Sequence, residues 1–177
     1  VTLVKAGSGT LTLTKASTLH TWSGGTKVLG GVLSVSNEKN LGYTPATAGD
    51  ITLDGGTLRI TGTSFASTVR PLVIGASGGG IDIFDAANTF VVGAATLSGA
   101  GTLTKTGSGA MALRGDFGGT FTGNIDVADG TLLIGVGDTL GNSTRVTVEA
   151  AGTLQTEEGE DFGSLAGAGT VRLTGGS

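Results

Sequence analysis

The chain has 177 residues, of which 35 are glycine, 2 are proline and none is cysteine. The glycines follow no strict three-residue period, which excludes collagen. The chain has 38% hydrophobic and only 14% charged residues, which argues against a disordered chain. The net charge of −4 argues against nucleic acid or an anionic membrane surface as a partner. No apolar run approaches the roughly eighteen residues of a membrane-spanning helix, so we expect this segment to lie outside the membrane.

The first predicted strand lies near the N-terminus, where leucine and threonine alternate from Thr10 to Thr14. In a strand, this period of two places the leucines on one face and the threonines on the other. A Gly-Thr pair followed by leucine or valine opens this strand and begins at six positions along the chain: Gly9, Gly56, Gly101, Gly130, Gly152 and Gly169. With degenerate members at Gly31, Gly80 and Gly109, most steps between successive markers are 17 to 25 residues long.

This short repeat predicts an all-β fold. One unit of about twenty residues cannot bury its apolar side chains alone, whereas neighbouring copies stacked in register can. We therefore predict a single-stranded parallel β-helix, or β-solenoid, of about eight coils, with glycine at the corners, leucine and valine inside and threonine outside. At about 4.8 Å per coil the rod would be about 40 Å long. The alternative is a β-sandwich, which also has many short strands but does not require long-range repetition.

The short units are themselves part of a longer repeat of about a hundred residues. The segment from Lys5 to Leu13 aligns with the segment from Lys105 to Leu113 at a shift of 100 residues. We therefore predict two β-helix modules of one continuous solenoid. The first module covers residues 1–98, and the second, truncated module covers residues 99–177.

The residues from Gly99 to Ile134 resemble the passenger-associated strand repeat of bacterial autotransporters. That repeat opens with Gly-x-Gly-Thr-Leu-Thr-Lys-x-Gly-x-Gly, passes a Tyr/Phe-Thr-Gly turn and closes with a Gly-Thr-Leu strand. Residues 99–109 match the opening, Phe121–Gly123 match the turn and Gly130–Leu132 match the closing strand. Residues 1–35 match the same pattern more loosely.

The resemblance implies a right-handed parallel β-helix in a passenger that a Gram-negative bacterium exports through an outer-membrane barrel. It implies a structural or adhesive stem at the cell surface or in the medium, with a role in virulence, cell adhesion, autoaggregation or biofilm formation. We expect the partner to be the chain itself, as rods joined end to end or side by side, or a host surface or matrix protein. The repeat unit of an extracellular filament is the alternative, because such repeats also occur in filament-forming proteins.

Arg114-Gly115-Asp116 is the one short motif with partner chemistry. It places a cation and an anion on either side of a glycine, which is the form in which host integrins read their ligands. Because it follows the predicted strand Ala110–Leu113, we expect it to lie on an exposed turn. Integrin binding through these three residues is one hypothesis, and a polar corner without a partner is the other.

An acidic cluster near the C-terminus gathers four carboxylates in five residues: Glu157, Glu158, Glu160 and Asp161. Carboxylate oxygens suit a hard cation such as calcium, which takes about six to eight oxygen ligands. These residues are therefore weak candidates for a metal site, and a hydrated acidic loop is the alternative. No cofactor is expected.

Catalytic groups are sparse along the chain. A polysaccharide-active β-helix enzyme needs carboxylates that converge on one face, and the candidates form two pairs: Asp50 with Asp54, and Asp82 with Asp85. We expect all four to be solvated turn residues. Ser77 lies in a Gly-x-Ser-x-Gly sequence, but a strand is predicted after it where a nucleophile elbow requires a helix. The single histidine, His20, is expected at a turn or cap, so the chain is not predicted to be an enzyme.

Aromatic side chains occur about once per predicted coil: Trp22, Phe65, Phe84, Phe90, Phe117, Phe121 and Phe162. This spacing favours aromatic stacking inside the coils or at their corners. A sugar-binding platform is the alternative.

Overall fold

The structure, a computed structural model, describes residues 1–14, 22–42, 49–93, 97–135, 139–157 and 159–174. These residues form seventeen β-strands and one short 3₁₀ turn, Glu38–Leu41. Among them there is no helix long and apolar enough to cross a membrane.

The strands form three stacks, one on each side of the coiling chain. The first stack contains β1 (Leu3–Lys5), β3 (Thr26–Val28), β5 (Ile51–Leu53), β8 (Leu72–Ile74) and β11 (Leu97–Gly99). The second stack contains β2 (Thr10–Leu13), β4 (Gly31–Val35), β6 (Gly56–Ile60), β9 (Gly79–Ile83), β12 (Leu103–Thr106), the first halves of β14 (Ile125–Ile134) and β15 (Arg145–Thr156), and β16 (Ser164–Gly167). The third stack contains β7 (Ser67–Thr68), β10 (Thr89–Val92), β13 (Ala110–Leu113), the second halves of β14 and β15, and β17 (Thr170–Leu173).

The chain is a parallel β-solenoid. The strand pairings of the described residues are all parallel. The second stack is the longest, and its eight rungs enclose about seven turns. Its paired residues on successive rungs lie 19 to 25 positions apart, as in Val146 with Leu165 and Gly31 with Gly56. The predicted fold is confirmed, and the β-sandwich is excluded because its strands would pair antiparallel.

Alternating side chains build the core of the solenoid. In β6, Leu58 points inwards and is fully buried, while Thr57 and Arg59 lie on the outer side. Inward positions align from rung to rung, so that Leu33, Leu58 and Ile81 form one column. Burying a side chain of this size contributes about 1.5–3 kcal/mol. These apolar columns therefore hold the coils on top of one another.

The hundred-residue repeat does not return to the same stack. Lys5 lies in β1 of the first stack and pairs with Val28, whereas Lys105 lies in β12 of the second stack and pairs with Val127. The chain makes four turns between β1 and β11, which both lie in the first stack, and the next strand, β12, lies in the second stack. The second copy of the sequence is therefore rotated by one side of the coil relative to the first. Strand pairing continues between the copies, since β12 pairs with β9 and β13 pairs with β10.

Candidate functional site: lysine corners and the outer side of the solenoid

Lys105 is a buried cation inside the solenoid. It occupies an inward column between Ile81 on the rung below and Val127 on the rung above, and its side chain is fully buried. Its Nζ donates to three backbone carbonyls: Thr106 at 2.8 Å, Gly107 at 2.7 Å and Asp129 at 3.0 Å. The first two carbonyls belong to the corner that follows Lys105, and the third belongs to the corner one coil above. Lys105 therefore joins two successive corners.

Lys5 makes the same arrangement near the start of the chain. Its Nζ also donates to three backbone carbonyls: Ala6 at 2.9 Å, Gly7 at 2.8 Å and Gly30 at 2.8 Å. We call each arrangement, the lysine with its three accepting carbonyls, a lysine corner. Because the contacts recur although the two lysines lie in different stacks, the lysine corner is a property of the repeat and not of one side of the solenoid.

A glycine with a positive φ completes each lysine corner. Gly31 (φ 61°) and Gly130 (φ 69°) directly follow Gly30 and Asp129, whose carbonyls accept from the lysines. A Cβ at either glycine would lie 2.8 Å from the lysine Nζ. Because the left-handed conformation also disfavours residues with a Cβ, only glycine fits here without strain. The glycine that opens the closing strand of each repeat is thus required by the lysine beneath it.

Burial outweighs the attraction of nearby carboxylates in the second lysine corner. Burial lowers the pKa of Lys105 from its ordinary value of 10.5 to about 8, while the charges of Asp129 and Asp82 oppose this shift. An ammonium group has three N–H donors, and the three carbonyl oxygens accept all of them. The corner therefore holds a fully hydrogen-bonded cation inside an apolar column.

Arg70 is a third buried cation besides Lys5 and Lys105, and sequence reasoning missed it. Its side chain donates to the carbonyl of Gly42 at 3.0 Å and to that of Gly49 at 3.4 Å. Its Nε lies 3.6 Å from the carboxylate of Glu38. Burial lowers the pKa of Arg70, and Glu38 opposes this effect. No local pattern around Arg70 distinguishes it from a surface arginine, because both of its carbonyl acceptors are more than twenty residues away in sequence.

The structure places Arg114 and Asp116 on an exposed turn after β13, as the sequence predicts. Arg114 donates to both carboxylate oxygens of Glu157 two coils above, and this pair lowers the pKa of Glu157. Gly135 lies on the coil between them, where an added Cβ would approach Arg114 Cδ to 3.1 Å. Asp116 accepts from the backbone N–H of Gly118 at 3.1 Å. The carboxylate of Asp116 is therefore exposed, while the guanidinium of Arg114 is engaged within the molecule.

The acidic candidates that the structure describes have separate surroundings. Glu157 pairs with Arg114, whereas the carboxylate of Glu160 accepts from the backbone N–H groups of Thr139 at 2.9 Å and Leu140 at 2.6 Å. Asp161 is exposed, and Glu158 lies outside the described residues. Within the described part of the chain, no group of three or more histidine or acidic side chains is placed to hold a metal ion.

The aspartate pairs are only partly as expected. Asp54 and Asp85 are turn or corner residues: Asp54 accepts from the backbone N–H of Ser77 at 2.8 Å, which lowers its pKa, and Asp85 accepts from that of Ala87 at 3.0 Å. Asp50 is exposed. The expectation of a solvated turn residue is wrong for Asp82, which is buried in β9. Arg59, at the paired position one rung below, neutralises it through a 2.6 Å ion pair.

Ser77 lies in a turn, and the strand β9 follows it, so the predicted turn role is confirmed. His20 lies outside the described residues. Four of the aromatic candidates are buried in the core as expected: Phe65, Phe90, Phe117 and Phe121. Phe65 and Phe90 meet edge to face with ring centroids 5.0 Å apart. Phe84 is not in the core: it follows β9 directly and is 59% exposed because it continues the outward row of that strand.

The outer side of the second stack carries a shallow, open groove of about 280 Å³. Its floor includes Gly80, which lies between Thr57 on the rung below and Thr104 on the rung above. Because Gly80 has no side chain, the two threonines stand as walls on either side. Ser77 and Thr106 also line the groove, so its polar groups are hydroxyls and backbone amides.

Two segments of the chain, residues 3–35 and 103–134, match the passenger-associated-transport-repeat family. The chain carries two passenger-associated transport repeats. The resemblance to the repeat of autotransporter passengers that the sequence predicts is thereby confirmed. It is 39% identical to the adhesin BmaC autotransporter of Brucella suis biovar 1 (strain 1330) over 132 residues, which is 75% of this chain and 4% of the adhesin. No solved structure matches the chain.

Each passenger-associated transport repeat coincides with one lysine corner. The first spans β1 to β4 and contains Lys5, and the second spans β12 to β14 and contains Lys105. Each repeat therefore begins with the strand that carries the lysine and ends with the glycine-led strand one coil above. The geometry that the two repeats share is that of two stacked corners held by one ammonium group.

Proposed function

We propose that the chain is a stem segment of a surface-displayed adhesin of a Gram-negative bacterium, with a structural and non-enzymatic role. The observation that carries this proposal is the unbroken second stack of eight rungs, which makes the segment one rod. The two modules, residues 1–98 and 99–177, are sections of that rod. A stem of this kind supports adhesion, autoaggregation or biofilm formation by holding other parts of the passenger away from the cell.

The surroundings of the carboxylates support a non-enzymatic role. Asp82 is neutralised by Arg59, and Asp54 accepts from the backbone of Ser77. Glu157 and Glu160 are engaged by Arg114 and by backbone N–H groups. Glycoside chemistry needs a pair of carboxylates facing a bound sugar, one of them with a raised pKa. Asp54 and Glu157 have lowered pKa values instead.

The stem role is tested by replacement in a displayed adhesin. Bacteria would carry a passenger with residues 1–177 intact, deleted, or replaced by an unrelated β-solenoid with the same number of coils, and their adhesion to host cells would be compared. We expect the unrelated solenoid to restore the adhesion that the deletion reduces. Adhesion that only the original residues support would overturn the stem role, since it would assign the contact to this segment itself.

A second candidate function is integrin binding through Arg114, Gly115 and Asp116. It is favoured by the exposure of the Asp116 carboxylate on the turn after β13. The pair between Arg114 and Glu157 opposes it, because an integrin would have to compete for a guanidinium that already donates to a carboxylate.

Because Glu157 and an integrin would compete for Arg114, the hypothesis predicts opposite effects for two substitutions. Binding of a purified integrin ectodomain to the immobilised chain should rise in Glu157→Gln, which releases Arg114, and disappear in Asp116→Ala. Asp85→Ala is the matched control, because Asp85 also accepts from a backbone N–H group in a turn. Integrin binding that survives Asp116→Ala would remove the tripeptide from consideration.

A further inference from the structure

The outward row of β9 combines three features that a stem does not need. The row runs from Gly80 through Asp82 to Phe84, with the groove at one end and an exposed aromatic ring at the other. At about 3.3 Å per residue, Gly80 and Phe84 lie about 13 Å apart along the strand. Polar and aromatic contacts therefore share one elongated surface, which we call the β9 surface.

Phe84 is held in place at the far end of the β9 surface. Its ring is 59% exposed, and the guanidinium carbon of Arg59 lies 5.5 Å from the ring centroid. A cation over an aromatic face is attracted by the ring quadrupole, so the ring has a fixed orientation although it is exposed. A fixed, exposed ring offers its free surface to an apolar partner at a low cost in side-chain entropy.

Arg59 provides hydrogen-bond donors at the centre of the β9 surface, and the buried Asp82 cancels its charge. Asp82 binds Arg59 Nε at 2.6 Å, and within the described residues the Arg59 Nη atoms have no hydrogen-bond partner. The Nη groups of Arg59 can therefore donate to a ligand, and the ion pair with Asp82 fixes their orientation. Because the two charges cancel, the surface selects neither an anion nor a cation.

The groove supplies hydroxyl groups at the near end of the β9 surface. Thr57 and Thr104 flank Gly80, and Thr106 is paired with Asp82 on the next rung. A Cβ at Gly80 would lie 2.5 Å from Thr57 Oγ1, so the glycine keeps the floor open. Hydroxyls both donate and accept, which suits a ligand that carries many hydroxyls of its own.

We propose that the β9 surface binds a neutral oligosaccharide. The ligand would place the apolar face of one sugar ring on Phe84, its hydroxyls on the guanidinium of Arg59, and a neighbouring sugar in the groove beside Thr104. An elongated, uncharged, hydroxyl-rich ligand with apolar ring faces matches all three features, and a protein ligand would need a larger apolar area than Phe84 provides. This proposal goes beyond the stem role, which stands whether or not a sugar binds.

The test uses an array of immobilised oligosaccharides probed with the labelled 177-residue chain. The array carries neutral oligosaccharides of mammalian cell surfaces, neutral oligosaccharides of Gram-negative surface polysaccharides, and heparin hexasaccharide. Binding in the first set would identify a host ligand, and binding in the second a bacterial one. We expect neutral oligosaccharides from one of the first two sets to bind. Binding of none of them, or of heparin hexasaccharide alone, would overturn the proposal.

Variants then locate the site by titration of the best-binding oligosaccharide. Phe84→Ala should weaken binding about tenfold or more, and Thr104→Val, which removes a hydroxyl while keeping the shape, should weaken it by a smaller factor. Val69→Ala is the matched control, because Val69 is 67% exposed and lies outside the groove. Unchanged affinity in Phe84→Ala, with circular dichroism confirming the fold, would contradict the proposal. An equal loss in Val69→Ala would contradict it as well.

Discussion

The Nζ of Lys105 donates to the carbonyl oxygen of Asp129 across the space between two coils, at 3.0 Å. The backbone ladder also joins these coils, but this bond comes from a charged side chain in an otherwise apolar column. It ties the corner of one coil to the corner of the next. Its repetition at Lys5 and Gly30 makes the contact a feature of the repeat.

Lys105→Met should destabilise the solenoid although it replaces a charge in the core with an apolar side chain. Three partly buried carbonyls lose their donor. Each unsatisfied group costs about 1–3 kcal/mol when fully buried, so we expect a total loss of about 2–4 kcal/mol after partial relaxation. Urea unfolding followed by circular dichroism measures the change. Lys27→Met is the control, because Lys27 is exposed in β3, and it should change stability by less than about 0.5 kcal/mol. Equal stability of Lys105→Met and the wild type would show that the lysine corner is dispensable.

The stability of the wild type should rise with pH between about 8 and 10.5, the folded and ordinary pKa values of Lys105. In this range the unfolded chain holds the proton while the folded chain has released it, so raising the pH favours the folded state. The urea midpoints of the wild type and Lys105→Met should be compared across this range. The wild type should gain stability relative to the variant, and parallel curves would contradict the assignment.

Gly130→Ala should be among the most damaging single substitutions in the chain. The residue has a φ of 69°, and an added Cβ would overlap the carbonyl oxygen of Gly107 and lie 2.8 Å from Lys105 Nζ. The left-handed backbone alone costs about 1–2 kcal/mol, and the overlap adds to it. Thermal unfolding should show a large fall in the midpoint. Gly119→Ala is the control, since nothing lies within 4 Å of its Cβ position; similar midpoints for the two variants would show that the corner tolerates a side chain.

Self-association of the isolated chain should depend on Leu173. This side chain is 76% exposed on β17, beside the 41% exposed Val171. An exposed apolar surface of this kind favours end-to-end contact between rods. Sedimentation velocity should show association that increases with concentration in the wild type and is lost in Leu173→Asp. Leu29→Asp is the control, because Leu29 is 45% exposed away from β17; association that persists in Leu173→Asp would exclude contact through this surface.

The rungs of the solenoid could be predicted from the sequence because each carries its own signal. The alternation from Thr10 to Leu13 appears in β2 with leucines half-buried and threonines exposed, and the Gly-Thr-Leu of residues 56–58 begins β6. Period-two patterns are local, and the stacking of units of similar length follows from them. The presence of the rungs and their approximate number were therefore accessible without the structure.

The lysine corners were harder to predict because the charge of the lysine indicates an exposed side chain, whereas its position in the strand indicates a buried one. Lys105 is two residues after Leu103 and shares its inward side, yet a charged residue is expected outside. Strict application of the alternation would have placed it in the core. The rotation between the two repeats could not be predicted at all, because the number of residues in each turn and corner sets it and no single residue encodes it.

The burial of Asp82 and the exposure of Phe84 could not be predicted, for a related reason. Asp82 is buried because Arg59 lies at the paired position one rung away, 23 residues earlier in sequence. Phe84 is exposed because it has the same outward parity as Asp82. Both outcomes depend on register between coils, which composition and spacing within one coil do not reveal.

The proposed stem role requires that these residues form a rod that adds length, and the length of a carrier rod tests this most directly. Residues 1–177 would be inserted between two coils of an unrelated β-solenoid passenger, and the purified rods would be measured by electron cryomicroscopy with and without the insert. The insert adds the eight rungs of the second stack, and eight steps of about 4.8 Å each predict that the rod lengthens by about 38 Å. A rod of unchanged length, with the insert forming a separate mass at its side, would contradict the claim.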